Sequence, residues 1–304
     1  MKPKVTVGIC VRNGASTLRK AIESVMIQDY PHELMEVIFV DDGSTDDTLF
    51  IMKYYASKMD MNVKVFYHKW KGLGYTRNVV VNNANGDYIL WVDADLILPF
   101  NYITKMIEFM ERNNRVAIAA GSYEMLDQKN LAAFLDNVEY VAYHYKSGTN
   151  LPGTGGAMFR VKAIREIGGF DENIKGSCED IDIAYRLLRK GWTIVRDLVP
   201  FYSQGKEGWR KYWVHSLWHG YGAHYFKHKN KHAPSLSKMT PPIALIRGIA
   251  YSVVAYKMLK QKKTFLLPIF CLFKNIGWWT GFIKGHIDGY GHKKFITPKL
   301  YAGI

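Results

Sequence analysis

The chain has 304 residues, enough for one large domain or two, and its 48% hydrophobic, 22% charged composition excludes a disordered or fibrous protein. Its three cysteines, Cys10, Cys178 and Cys271, are widely spaced with no CxxC pair, which excludes a disulfide framework and points to a reducing compartment. The net charge of +14 is uneven: residues 206–304 hold 17 of the 41 Lys and Arg but only two acids, Glu207 and Asp288. Such a tail is built to meet a polyanion, either anionic lipid or nucleic acid.

The first residues, Met1–Val7, go straight into a strand over 4–11, with no apolar leader before it, so no signal peptide is expected. Asn13–Thr17 reads as a turn whose Ser16 or Thr17 caps a helix carrying Leu18, Ile22, Val25 and Met26 at helical spacing. Asp29-Tyr30-Pro31 closes it, and Val37–Val40 is a second, wholly apolar strand. A helix follows from Thr45 to about Met59, with Asp46 or Asp47 as its cap. Further elements are a strand at 63–68, a Gly72-Leu73-Gly74 turn, a helix at 75–83, a strand at 87–92, a helix at 103–112 and a strand at 116–120. Strands alternating with helices at this spacing predict an α/β fold, a mostly parallel, Rossmann-like sheet flanked by helices. The middle is less regular: an aromatic helix at 134–145, a glycine-rich run Gly153–Gly156 into a short strand, and a Gly168-Gly169 turn. A helix from Glu179 stops at Gly191, before a last strand at 192–195.

Two of the apolar strands end in acids. Asp41-Asp42 follow one, and Asp93-Ala94-Asp95 the other. Ligands of open parallel sheets bind outside the carboxyl ends of the strands, so both clusters are expected in one crevice. Two hard carboxylates in a DxD pattern suit Mn²⁺ or Mg²⁺ bridging the phosphates of a nucleotide. Asp42 suits a base or ribose, Arg77 a phosphate or the aspartates themselves, and the carboxylates at Glu179-Asp180 general-base work.

These residues carry a resemblance. Val7–Asn13, Val40–Thr48, Gly74–Asn78, Asp93–Asp95, Gly155–Ala157, Gly168–Glu172 and Glu179–Asp182 stand in the order and register of the family 2 glycosyltransferases, over about residues 4–200. The resemblance implies a GT-A fold and an inverting, metal-dependent transfer from a nucleotide-diphosphate sugar. By likeness Val11, Asn13, Asp41, Asp42, Arg77 and Asp93 serve the nucleotide, and Asp93 and Asp95 hold the metal. Gly155, Gly156 and Glu179 lie beside the donor or acceptor sugar, and Asp180 takes the acceptor's proton with Glu179 next to it. The QxxRW motif of the processive synthases is missing, which argues against processive synthesis.

The expected organisation is a catalytic domain at 1–205 and a basic, aromatic helical region at 206–304. Trp209–Phe226 is an aromatic helix suited to a headgroup belt, and a linker Pro234–Pro242 separates it from two apolar runs, Ile243–Met258 and Phe265–Ile283. The first run is short and holds Arg247, the second holds Pro268 and Lys274, and basic residues flank both on all sides. Helices lying in the interface or a shallow hairpin fit that charge pattern better than two ordinary spans, although spanning stays open. His215 and His219, and His224 and His228, are spaced for metal binding or for an interfacial position, and one of the first pair could complete the catalytic metal's shell. The expected place is the cytoplasmic face of the cell membrane, with a lipid carrier or a saccharide as acceptor and no nucleic acid partner. Two other functions fit parts of the pattern: a sugar-nucleotide nucleotidyltransferase, and a non-enzymatic basic module binding nucleic acid.

Overall fold

The computed structural model describes residues 2–125, 130–146, 152–204, 208–231 and 240–291. The chain divides into two compact units. The first comprises residues 1–126, 151–175 and 179–204, and the second residues 127–150, 176–178 and 205–304.

Among its described residues the first unit holds ten strands: β1 (Val5–Val11), β2 (Met35–Asp42), β3 (Asn62–His68), β4 (Tyr88–Trp91), β5 (Leu96–Ile97), β6 (Val116–Ala120), β7 (Ser122–Met125), β8 (Ala157–Arg160), β9 (Thr193–Val195) and β10 (Pro200–Ser203). Seven form a sheet in the order β3-β2-β1-β4-β8-β6-β9. Its pairs are parallel except those of β8, which runs antiparallel to β4 and β6. The short β5, β10 and β7 make a second sheet.

Because successive side chains of a strand point to opposite faces, one strand feeds two cores. Val37 and Phe39 of β2 enter one cluster and Ile38 and Val40 the other, and all eight residues of β2 are buried. The first cluster is closed by α1 (Ala15–Met26), α2 (Thr48–Ala56) and α4 (Tyr102–Arg112). The second is closed by α3 (Leu73–Asn83), α6 (Val161–Glu166) and α7 (Glu179–Arg189), while α5 (Leu131–Lys146) belongs to the second unit.

Most expected elements are present, with three local differences. Helix α1 starts at Ala15 behind Gly14, and neither Ser16 nor Thr17 caps it. Helix α2 starts three residues later than its acids suggested, and the Asp46 carboxylate accepts the Thr48 N–H at 3.1 Å. The strand ending at Val40 on hydropathy runs on to Asp42, because Asp41 and Asp42 keep their ladder partners Tyr67 and His68.

The second unit adds α8 (Gly208–Lys229), α9 (Pro241–Leu259), a 3-10 turn at Lys262–Leu266 and α10 (Leu267–Ile287). Residues 234–239 of the expected linker lie outside the described residues. Helices α8 and α10 approach through small residues: a Cβ on Gly281 would lie 1.8 Å from the Leu217 carbonyl, and one on Gly220 1.7 Å from that of Trp278. Part of the aromatic set of α8 is spent inside this unit: Tyr212 and Tyr221 are buried, and the exposed Trp209 packs edge-on against Phe270 and Phe273.

The prolines, the buried cations and the short first run, which weighed against spanning helices, have local answers. Pro241, Pro242 and Pro268 sit in the first turns of α9 and α10, where a missing N–H costs nothing. Lys274 pairs with Asp136 at 2.6 Å and Glu139 at 3.2 Å, and Arg247 reaches Glu139 at 4.0 Å, so α5 supplies the acids. Helix α9, at 19 residues, is longer than its apolar run, and both α9 and residues 262–287 are long and apolar enough to cross a membrane. Ile246, Ile249 and Val253 of α9 and Ile269, Ile276 and Ile283 of α10 stay exposed.

Candidate active site

The loops beyond the carboxyl ends of β1, β2 and β4 build the site. After β1 the chain turns at Asn13, in a left-handed conformation (φ 52°) that asparagine tolerates. Asn13 Oδ1 accepts the Thr45 N–H at 2.9 Å, and its own N–H donates to Ser44 Oγ at 2.9 Å. Gly14 N–H reaches Thr48 Oγ1 at 2.9 Å, so the loops after β1 and β2 are tied together. Val11 lies opposite Asp41 in the β1–β2 ladder and forms the floor of this end.

Asp41 and Asp42 point to opposite faces and do different things. Asp42 accepts the Lys71 N–H at 2.7 Å on one oxygen and the Gly72 N–H at 3.0 Å on the other, with His68 Nδ1 at 3.3 Å. Burial raises its carboxyl above the ordinary value, and those two N–H groups and His68 hold it down in part. The glycine at 72 has φ +92°, a conformation that lets the loop turn its amides onto Asp42 before α3 begins. Asp41 is fully buried; one oxygen accepts the Ser44 N–H at 2.7 Å, and Oδ2 has no partner among the described residues.

At the end of β4 a second group gathers around Arg77. Its guanidinium, 4% exposed, hydrogen-bonds Glu179 and lies 3.7 Å from Asp93 and within 6 Å of the Trp91 and Phe170 ring centres. Asp180 feels the same cation. Burial raises both Glu179, to about 7, and Asp180, while Arg77 pulls each down. Carboxylates therefore outnumber the guanidinium they face. Asp93 is half exposed, whereas Asp95 is held by β10: its Oδ2 accepts Ser203 Oγ–H at 3.3 Å and its carbonyl the Gln204 N–H at 2.9 Å.

The glycine-rich run lies across these acids. A Cβ on Gly155 would stand 2.7 Å from Asp93 Oδ2, and one on Gly153 would stand 3.4 Å from Asp180 Oδ2. Gly156 closes the turn, its N–H bonded to the Trp91 carbonyl at 2.9 Å and its own carbonyl to the Tyr102 hydroxyl. Cys10 lies near Arg77 and Asp93, but burial pushes its thiol up to about 12, so it is no nucleophile at neutral pH.

The structure thus brings Arg77, Asp93, Gly153, Gly155, Glu179 and Asp180 together, and places Asn13, Asp41 and Asp42 at the neighbouring strand ends. Two contributors escaped the sequence reading. Ser203 reaches the site on β10, a strand too short for a hydropathy signal. His68 was legible as the last residue of the strand beside β2, directly opposite Asp42 in the ladder.

The model of the glycosyl transferase family 2 matches residues 6–168, and that of the glycosyl transferase family group 2 matches residues 88–283. The protein named glycosyltransferase EpsE in Bacillus subtilis is 30% identical over 195 residues, 62% of this chain and 68% of its own length. An uncharacterized glycosyltransferase of Rickettsia typhi is 30% identical over the same share, 62%, but this chain spans only 59% of its length. Among solved structures, the mannosyltransferase PcManGT of Pyrobaculum calidifontis, in complex with GDP-Man and Mn²⁺, superposes with a TM-score of 0.67 over 95% of this chain and 88% of its own, at 17% identity. The chain belongs to glycosyl transferase family 2, and it has the GT-A fold.

Proposed function

We propose that the protein is an inverting, metal-dependent glycosyltransferase that moves a sugar from a nucleoside diphosphate to an acceptor delivered at a membrane. The observation that carries this reading is the glycine turn laid against Asp93 and Asp180, with Arg77 beside both. The family match favours sugar transfer over nucleotidyl transfer and over nucleic acid binding. The similar mannosyltransferase was solved with GDP-Man and Mn²⁺, which supports a nucleotide-sugar donor and a divalent ion here.

The donor set fits a hard cation: Asp93 and Asp95 offer oxygen ligands, and the carboxylates exceed the local positive charge. A Mn²⁺ or Mg²⁺ ion held by Asp93 and Asp95 would neutralise the charge that grows on the departing diphosphate. The unpartnered Oδ2 of Asp41 is the acceptor for a donor group of the nucleoside, since Asp42 spends both oxygens on its own loop. Val11 and Asn13 shape that end. Arg77 fixes Glu179 and keeps Asp93 in place. Asp180, raised by burial, takes the proton of the acceptor hydroxyl as that oxygen attacks the anomeric carbon from the side opposite the diphosphate. One displacement of this kind inverts the anomeric centre. Gly155 keeps the backbone low beside Asp93 and leaves room for the sugar, while Gly156, where a Cβ would meet the Phe201 ring at 2.6 Å, lets the turn close.

We also propose that residues 206–304 form a membrane-associated region and residues 1–205 the catalytic region, with a lipid carrier or lipid-linked saccharide as acceptor at the cytoplasmic face. The exposed apolar stripe of α9 and α10, flanked by exposed Lys257, Lys260, Lys262 and Lys263, supports this. Asp180→Asn tests the chemistry: it is expected to bind donor as the wild type does and to lose transfer at least about a hundredfold, the lower end of what a general base contributes. Unchanged transfer, or retained anomeric configuration in the product, would overturn the mechanism. Ile246→Lys with Ile269→Lys tests the membrane reading; undiminished sedimentation with anionic vesicles would reject it.

A further inference from the structure

Three histidines of the second unit converge. His224 and His228 stand four apart on α8, and His286 comes from α10. One ring nitrogen of each lies within 4.8 Å of the other two. His224 is 1% exposed, while His228 and His286 open to solvent. We infer that His224, His228 and His286 bind a late first-row transition metal, Zn²⁺ in the first instance, and that the ion ties α8 to α10.

Three features support the site. Nε2 of His224 and Nδ1 of His286 are 3.3 Å apart. A tetrahedral ion with bonds of about 2.0–2.1 Å holds its ligand nitrogens about 3.3–3.4 Å apart, so these two already span one edge of that figure. The two rings are also within hydrogen-bonding distance of each other, a contact that a bound ion would replace.

The backbone around the rings is cleared. A Cβ on Gly285 would lie 3.0 Å from the Cβ of His224, and one on Gly291 would lie 3.1 Å from that of His228. Glycine at both positions lets the three rings close on a common point. The apolar edge of Phe282, centred 5.0 Å from the His224 ring, shields the buried side, and an ion there keeps a fourth position open to water.

The ligand type separates this site from the acids of the first unit. Imidazole nitrogens suit Zn²⁺, Cu²⁺ and Ni²⁺, whereas paired carboxylates suit Mn²⁺ and Mg²⁺. The other close pair, His215 and His219, differs: their Nε2 atoms are 3.1 Å apart, Nδ1 of His219 is engaged by Ser177, and no third histidine joins them among the described residues.

The test uses the full-length chain without an affinity tag, in detergent, stripped with chelator and titrated with Zn²⁺ by calorimetry, with bound metal counted by mass spectrometry. The wild type is expected to take up one Zn²⁺ per chain and not to exchange it for Mn²⁺. Co²⁺ in its place is expected to give the intense visible bands of tetrahedral nitrogen ligation. His228→Ala and His286→Ala, both at exposed positions, are expected to lose the ion and the bands, and His215→Ala to keep them. Zn²⁺ should raise the melting midpoint of the wild type and leave that of the two variants unmoved. A wild type that takes up no Zn²⁺, or a His228→Ala/His286→Ala double variant that takes up as much as the wild type, overturns the inference.

Discussion

Asp41 and Asp42 are neighbours of the same type, yet their surroundings predict opposite phenotypes. In Asp42→Ala two backbone N–H groups lose their acceptor, that of Gly72 inside the protein and that of Lys71 partly open to water. A buried donor left unsatisfied costs about 1–3 kcal/mol, and one that water can reach costs less, so the sum is about 2–4 kcal/mol. Burial already raises the Asp42 carboxyl, so loss of a disfavoured charge returns part of that cost and sets the expectation at the lower end. At about 2–4 °C per kcal/mol the first unit should melt about 4–8 °C lower. Asp41→Asn is different: Oδ1 keeps the Ser44 N–H, and only the unpartnered oxygen changes from acceptor to donor. Its melting point should stay within about 2 °C of the wild type, while donor affinity falls about tenfold or more, the size of one lost charge-assisted hydrogen bond. Thermal melts and nucleoside diphosphate titrations on the two variants check this. The reasoning fails if Asp42→Ala melts with the wild type, or if Asp41→Asn binds nucleotide unchanged.

Three further expectations follow from single contacts. Gly155→Ala forces a Cβ to within 2.7 Å of Asp93 Oδ2, so kcat/KM should fall about a hundredfold with little change in melting, as expected for a catalytic group displaced by about 1 Å. Burial by itself would raise the Glu36 carboxyl, but the Thr6 Oγ1–H, two donors of Asn85 and the Lys64 ammonium together outweigh it and hold the carboxyl below the ordinary value. That stability is present above the unfolded value of 4.5 and is lost as the pH falls through the lower, folded one, so Glu36→Gln should flatten the acid limb of a stability–pH curve and lower stability near neutral pH. Gly281→Val should cost about 3 kcal/mol or more, because its side chain would meet the Leu217 carbonyl; limited proteolysis of α8 and α10 reads this directly.

How much the sequence disclosed depends on the range of the interaction. The strands β1 to β4 and β6 were legible because each is a short apolar run between turn signals, and the two acid clusters were legible because strand ends in such a sheet share an edge. The antiparallel β8 could not be oriented, since a short apolar strand looks alike in either direction. Nor could the second sheet be seen: β5 has two residues, and β10 pairs with β7 across a long separation in the chain. The division of labour between Asp41 and Asp42 was hidden for the same reason. It is set by where the amides of Lys71 and Gly72 fall, thirty residues away, and no local pattern carries that. In the tail, Lys274 and Arg247 read as defects in apolar runs because their acids, Asp136 and Glu139, stand on α5, before the last strands of the first unit. The His224–His228–His286 cluster was half visible, as one pair at helical spacing, and its third member lies 58 residues on from His228.

The central claim is transfer from a nucleotide sugar by the acids at the end of β4. The most direct measurement incubates the purified chain with Mn²⁺ and a panel of uridine- and guanosine-diphosphate sugars and follows the nucleoside diphosphate set free. The account predicts release from one class of donor, abolished in Asp95→Ala and when chelator removes the ion. Release that persists undiminished in Asp95→Ala, or no release from any donor by a folded protein supplied with membrane lipid extract, would contradict it.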